Sequence, residues 1–394
     1  MKIGKNIEHL IKNSIAVLLR TVLEQKPKVP QPPFRRILFL RFDALGDMIL
    51  SFPVYRATRA ALPKAEIDVL CSRKNVILLE GTNLADNLIV SEKNPLNIIR
   101  LIRKLRSRKY DLMVNLVTRP SFTFGLVARL GGSKSVRIAG DQEQFSYFYN
   151  RVIDLPPKSD IHMMKRKFLV CKDFINPQIS HTDQPWVEYD REVKNQAGKL
   201  FNFICNESDI QPQKIRLATL NLSAGLERRE WPLEKNILFL RQCIEKYKND
   251  IDVWIIFTDP GKPEKASEVA QGISQSIEKN VGVGRERAKK LPIIVLPEQK
   301  DIRVIMEFLP YLKVLITPDT SIAHAASAMG TPVLVLTIGE NVTVWDPVGV
   351  INNIVYSDDP FSLETLSVDK VVEGFDQLMA NILKLDVESK RSPE

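Results

Sequence analysis

Short apolar runs alternate with longer amphipathic stretches along most of this chain. Ile37–Leu40 is the first run, continuous enough for a strand buried on both faces of a parallel sheet. Leu50, Val54, Ala57 and Ala61 then recur at helical spacing and predict a helix over Ile49–Leu62, with Pro53 tolerated near its first turn. Arg41–Gly46 between them is a charged turn. Strand, glycine-bearing turn and helix form the opening unit of a doubly wound α/β domain, in which ligands bind beyond the carboxyl ends of the strands. The alternation goes on to predict strands at Ile67–Cys71, Leu88–Val90, Asp111–Val117 and Val136–Ala139. Helices fall at Leu96–Arg108, at Phe122–Leu130, which Gly131-Gly132 stops, and at His162–Phe174, with Met163, Lys167, Val170 and Phe174 spaced along it.

Residues 176–190 are polar and contain prolines, and read as an interdomain linker. A helix at Asp190–Asn206 leads into a second domain that restarts the pattern. Strands are predicted at Leu217–Leu222, Asp252–Phe257, Ile293–Leu296 and Val314–Ile316, with another starting at Thr331-Pro332. Helices are predicted at Leu233–Tyr247, Glu264–Ser276, Asp301–Leu309 and Ile322–Met329, and Asp369–Leu385 closes the chain. Lys279–Lys290 is a charged, glycine-containing insertion expected to be mobile. The organisation is therefore residues 1–34 as leader helix and linker, 35–185 and 186–368 as two α/β domains, and 369–394 as closing helix and tail.

Composition narrows the function classes. A length of 394 residues suits two domains, and 44% hydrophobic content can build two cores. The four cysteines are scattered without a CxxC pair, which argues against a disulfide framework and a structural zinc site and suits a reducing cytoplasm. Four histidines leave little for a histidine-rich metal centre. A formal charge of +9 points to anionic partners: a membrane surface, phosphorylated substrates or nucleic acid. Aromatics make up only 7% and are not interleaved with the basic runs, so stacking on nucleic acid is disfavoured. No apolar stretch is long enough to span a bilayer, and no signal-peptide cleavage site follows the start.

Two basic segments stand out. In residues 1–23, Ile3, Ile7, Leu10, Ile11 and Leu18 share one helical face while Lys2, Lys5 and Lys12 lie elsewhere. Such a helix either docks on an anionic cytoplasmic leaflet or packs on the protein body. Residues 24–34 hold four prolines and form an extended linker. The Leu96–Arg108 helix carries Arg100, Arg103, Lys104, Arg106 and Arg108, a solvated face or a contact for an anionic acceptor.

Three stretches could carry chemistry. Asp47 lies on the first strand's rim, one residue past Gly46, where a carboxylate can cap its own helix or face a ligand. Arg41, Thr118 and Arg119 also stand just beyond strand ends in the first domain. In the second, Thr317-Pro318 ends a strand, and Asp319, Thr320 and Ser321 open a helix. Free amides and hydroxyls there suit a phosphate, and Asp319 suits a sugar hydroxyl; ordinary N-capping is the alternative. His324 sits one turn further on, as either a structural or a site residue. Ser223, Gly225, Arg228 and Arg229 precede Trp231-Pro232 in a loop where guanidinium groups beside small residues suit a pyrophosphate, unless the arginines are simply solvated. GxGxxG and GxxxxGK[ST] are absent and no DxD-type carboxylate pair stands at a strand end, which disfavours nicotinamide chemistry, P-loop phosphoryl transfer and metal-dependent sugar transfer.

Taken together, ILFLRFDALGDMILSFPVYRATRAALPKAEIDVL, the EWP after Arg229, His162 and LITPDTSIAHAASAMGTPVLVLTIGENVTVWDPVG resemble glycosyltransferase family 9, the ADP-heptose:lipopolysaccharide heptosyltransferases. The likeness runs in order over about residues 35–350. It implies a GT-B fold, two Rossmann-like domains facing across a cleft, and inverting, metal-independent transfer from a nucleotide sugar, with no cofactor. By position it implies Asp47 as general base and Arg229, where the family usually has lysine, against the leaving diphosphate. Ser223, Gly225, Thr320 and Ser321 would line the donor phosphates, Asp319 and His324 the donor sugar, and Glu264 the ribose. Arg41, Thr118 and Arg119 would meet the acceptor. The partners implied are ADP-heptose and a lipid-linked phosphorylated glycan at the cytoplasmic face of the inner membrane, reached through residues 1–23, with no nucleic acid. Two departures bear on the donor: Asn115 stands where many members carry Asp, and TIGENVTVWDP replaces a usual Phe-Gly-Pro-Thr. The alternatives are the same fold using another nucleotide sugar for a different cell-surface glycan, or a basic membrane or nucleic-acid binding module without turnover.

Overall fold

The computed structural model describes residues 26–391 apart from residues 43, 93, 118, 177–184, 281–292 and 340–343. The leader helix expected over residues 1–23, Thr118, most of the charged insertion and residues 392–394 lie outside the described residues. The chain forms two compact units that divide between residues 180 and 181.

In the first unit six parallel strands lie in the order β3-β2-β1-β4-β5-β6: β1 (Arg36–Leu40), β2 (Glu66–Cys71), β3 (Asn87–Val90), β4 (Leu112–Asn115), β5 (Val136–Ala139) and β6 (Arg151–Val152). Ile37 to Leu40 are wholly buried, as a central strand covered by helices on both faces requires. The helices are α1 (Leu45–Ile49), α2 (Phe52–Ala61), α3 (Pro95–Arg108), α4 (Phe122–Gly131) and α5 (Met163–Val170).

The second unit repeats the topology with β7 (Leu217–Asn221), β8 (Val253–Phe257), β9 (Ile293–Val295), β10 (Leu312–Pro318), β11 (Val333–Thr337) and β12 (Asn352–Tyr356), in the order β12-β11-β10-β7-β8-β9. Its helices are α6 (Arg191–Ser208), α7 (Leu233–Lys246), α8 (Pro263–Asn280), α9 (Ile302–Phe308), α10 (Ser321–Met329) and α11 (Val368–Arg391). Counted from its own first strand, each sheet runs 3-2-1-4-5-6. The strand order therefore reverses between β1 and β4 in one unit and between β7 and β10 in the other, the places where doubly wound folds bind ligands.

Three expectations need correction. The helix predicted over Ile49–Leu62 is two helices, α1 and α2, broken at Leu50-Ser51. Pro53 has no N–H to give the carbonyl of Ile49, and its ring would clash there, so the chain restarts at Ser51. The linker expected over residues 176–190 ends earlier. Trp186 and Tyr189 are buried, the Trp186 amide donates to Ala328 (2.7 Å), and the Tyr189 hydroxyl lies 3.3 Å from the Met306 sulfur, so this stretch belongs to the second unit. The closing helix runs on to Arg391, and two strands, β6 and β12, were not anticipated. β6 has only two residues, and β12 reads Asn-Asn before its first apolar position.

Candidate functional site

Arg41 continues the line of β1: its amide donates to the Leu70 carbonyl at 3.0 Å. Its guanidinium then turns across the switch point. Nη1 donates to the carbonyl of Leu116 just past β4, Nε to the Asp47 carbonyl (3.2 Å), and Nη2 pairs with Asp47 Oδ1. From α5, Lys167 Nζ comes within 3.7 Å of the same oxygen. The Arg41 and Lys167 side chains are 0% and 1% exposed, whereas that of Asp47 keeps 19%. Asp47 thus shows part of its carboxylate to solvent with two buried cations behind it. The helix it sits in has Ala44 as N-cap, and the Ser51 hydroxyl donates to the Asp47 carbonyl at 2.9 Å, tying α1 to the start of α2.

These contacts revise the expected acceptor set. Arg41 is fully buried and spent on Asp47 and Leu116, so it positions the carboxylate and offers no surface to an acceptor. Arg119 is exposed at the end of β4, and Thr118 lies outside the described residues. Asn115 is buried, donating to the Tyr149 hydroxyl (2.7 Å) and accepting from the Val117 amide (3.0 Å), a structural pin at that strand end. Sequence reading had not singled out Lys167 for a role. The signal was a lysine in the otherwise apolar row Met163, Lys167, Val170, Phe174. His162, which opens this helix, accepts the Met164 amide on Nδ1 at 3.2 Å.

In the second unit, the loop after β7 and the start of α10 come together. Arg229 Nη1 lies 3.4 Å from Asp319 Oδ2, both side chains being more than a third exposed. Asn221 locks the two arms: its Nδ2 donates to Thr317 Oγ1 (2.9 Å) and its Oδ1 accepts from the Ser223 amide (3.1 Å). Thr317 Oγ1 is in turn 3.4 Å from Thr320 Oγ1, which accepts from the Ile322 amide as the helix cap. Gly330, at φ +82°, ends that helix in the left-handed conformation glycine favours. Ser223 was expected at the donor phosphates, but its hydroxyl is buried, accepting from the Asp259 amide (2.6 Å) and bonding to Thr258 Oγ1. It fastens β7 to β8. Gly225 is exposed, and a Cβ there would meet open space. Ser321 is half-buried in the first turn of α10.

Glu264 is exposed in the first turn of α8, whose start is held to the Arg229 loop through Glu230. Glu230 pairs with Lys262 (3.1 Å) and with Lys265. Burial opposes ionisation of Glu230, but hydrogen bonds from Lys265 and Lys262 outweigh it and hold the carboxyl below its ordinary range. His324 is buried with its ring 6.3 Å from that of Trp345, and the Val348 amide donates to Ser327 Oγ (3.0 Å), so residues 345–348 lie along α10. Between them Asp346, missed by sequence reading, has its carboxyl pushed up to about 6 by burial. Its signal was the departure of TIGENVTVWDP from the expected pattern.

Two α/β units of Rossmann order, each with polar groups gathered at its switch point, define a doubly wound protein of the ligand-binding kind. The chain belongs to glycosyltransferase family 9, the heptosyltransferase family, whose model matches residues 98–366, and it is a glycosyltransferase. That match begins after the β1–α1 stretch that carries Asp47. Among curated proteins it is similar to lipopolysaccharide heptosyltransferase 3 of Escherichia coli, 23% identical over 320 residues, which is 77% of this chain and 83% of the relative. Among solved structures it is similar to a family 9 glycosyl transferase from Veillonella parvula (TM-score 0.69, 17% identity, 90% of this chain and 99% of that one). The Escherichia coli ADP-heptose lipopolysaccharide heptosyltransferase II is similar too (TM-score 0.63, 18% identity, 89% and 99%). The fold is that of the GT-B transferases.

Proposed function

We propose that this glycosyltransferase moves a heptose from ADP-heptose to a lipopolysaccharide core acceptor, with inversion and without a metal, using Asp47 as general base. The carrying observation is the Asp47 carboxylate, partly open to solvent and fixed from behind by Arg41 and Lys167. The chemistry asks for such a group. An acceptor hydroxyl attacks the anomeric carbon, a new C–O bond forms, and the bond to the diphosphate breaks with its electron pair leaving on ADP. The hydroxyl proton passes to Asp47. Arg229 and the first amides of α10 meet the charge that develops on the diphosphate. Asp319, already opposite Arg229, and His324 contact the sugar, and Glu264 the ribose. The basic chain, at +9, suits a phosphorylated lipid-linked acceptor at the cytoplasmic face of the inner membrane, with residues 1–23 as an anchor.

A second reading keeps the mechanism and changes the donor. It draws on Trp345 and Asp346 along α10, where the family more often has Phe-Gly-Pro-Thr. A panel of nucleotide sugars with purified protein and a heptose-deficient core acceptor separates the two: turnover with ADP-heptose is expected, and turnover only with another donor overturns the choice of sugar. Asp47→Asn keeps the shape but takes no proton. It is expected to lower turnover by about 10²- to 10⁴-fold with ADP affinity preserved and a lowered melting temperature, because buried Arg41 and Lys167 lose their counter-charge. Retained turnover would remove Asp47 as the base.

A further inference from the structure

The outward face of α3 has a composition that the transfer chemistry does not explain. Residues 95–109 contain six lysines and arginines and no acid. Arg108 turns inward to Asp68 (2.7 Å) and Glu66, and Leu101 and Leu105 are buried in the core, which fixes the rotation of the helix. Leu96, Ile99, Arg100, Arg103 and Arg106 then fall on one outward arc, with Lys104 at its edge. Leu96 is 68% and Ile99 50% exposed, and Val90, at the end of the neighbouring strand, is 46% exposed. Beside this arc is a hollow lined by Arg73, Ser91, Asn97, Arg100 and Lys104, with Glu92 paired to Arg73 at 2.7 Å.

We propose that this face docks on an anionic lipid surface, with Leu96 and Ile99 entering the headgroup boundary and Arg100, Arg103, Lys104 and Arg106 on lipid phosphates. Exposed aliphatic side chains flanked by cations, with no acid on the helix itself and the neighbouring Glu92 paired to Arg73, fit an interfacial helix. A nucleic acid would ask for stacking rings among the cations, but residues 95–109 hold no aromatic and the next one, Tyr110, is buried. A purely saccharide acceptor has no use for two exposed aliphatic residues. The proposal does not depend on which sugar is transferred, and it puts lipid contact in the first unit in addition to any contact by residues 1–23.

The test uses the full chain in flotation with phosphatidylcholine vesicles with and without phosphatidylglycerol. The triple variant Arg100→Gln, Arg103→Gln, Arg106→Gln is expected to lose about fivefold in partition to anionic vesicles per cation removed. Leu96→Ser with Ile99→Ser is expected to lose the binding that survives high salt, where charge attraction is screened. All five positions are exposed, so melting temperatures should stay level and report any misfolding. Wild-type partition in both variants would overturn the proposal and leave lipid contact to other segments. Unchanged partition with weakened affinity for a delipidated, phosphorylated core oligosaccharide would assign the cations to the acceptor instead. Binding of a DNA oligomer that competes with vesicles and disappears in the triple variant would overturn the lipid assignment as well.

Discussion

The two switch points share a strand order and treat their charged groups in opposite ways. In the first unit Asp47 is pinned by cations that water does not reach: Arg41 and Lys167 have side chains 0% and 1% exposed. In the second, Asp319 and Arg229 pair at 3.4 Å with 36% and 37% of their side chains in solvent. A buried pair fixes one orientation and does not rearrange cheaply, which suits a group that must take a proton from a set direction. An exposed pair is held weakly and can give up its partner to an arriving ligand, which suits a site that must admit and release a charged substrate.

The comparison breaks most readily on stability. Arg41→Met removes one buried cation, the donor to the Leu116 carbonyl and the brace behind Asp47. It is expected to cost about 3 kcal/mol, the lower end for breaking a buried pair because Asp47 is partly exposed. Asp319→Asn is expected to cost below about 1 kcal/mol. Denaturant melts of the two variants check this, and equal costs would mean that the two sites are not built differently.

Ligand binding sharpens the contrast with a smaller effect. Arg229→Ala is expected to weaken ADP affinity by about 10- to 100-fold, the worth of a charge-assisted hydrogen bond or two. Arg229→Lys should recover most of that, since the charge remains and only the planar fork is lost. Calorimetry with ADP measures both. Asp47→Asn should leave this affinity alone. A loss of ADP binding in Asp47→Asn as large as in Arg229→Ala would erase the division of labour between the units.

Much of this was legible before any coordinates. The parallel strands announce themselves because both faces are buried, so every position in Ile37–Leu40 or Val333–Leu336 is apolar. The site loops follow from where those strands stop. What sequence could not show is where side chains turn after leaving the strand. Arg41 and Ser223 sit at rim positions that read as ligand contacts, yet the guanidinium folds back to Leu116 and Asp47, and the hydroxyl turns to Asp259. Lys167 is distant from Asp47 along the chain and meets it only through the packing of α5. Trp186 and Tyr189 hid in a polar, proline-containing stretch because two aromatic residues are enough to anchor a segment that composition marks as a connector.

The smallest expected effect concerns Asp346 of the second unit. Asp346 lies along α10 near His324, and burial raises its carboxyl from 3.8 to about 6. The folded protein therefore binds this proton more tightly than the unfolded chain does. Stability contributed by the protonated form is present below pH about 4 and is lost as pH rises through about 6. Asp346→Asn cannot ionise, so its melting temperature relative to the parent should climb by a few degrees over that window and stay level above it. Parallel melting curves from pH 4 to 8 would show that Asp346 ionises in the folded state as readily as in the unfolded chain. Asp346 would then be as ready for solvent as Asp319. A rising difference would instead make residues 345–348 a segment whose charge is tolerated only at a cost, a proton-sensitive stretch along α10.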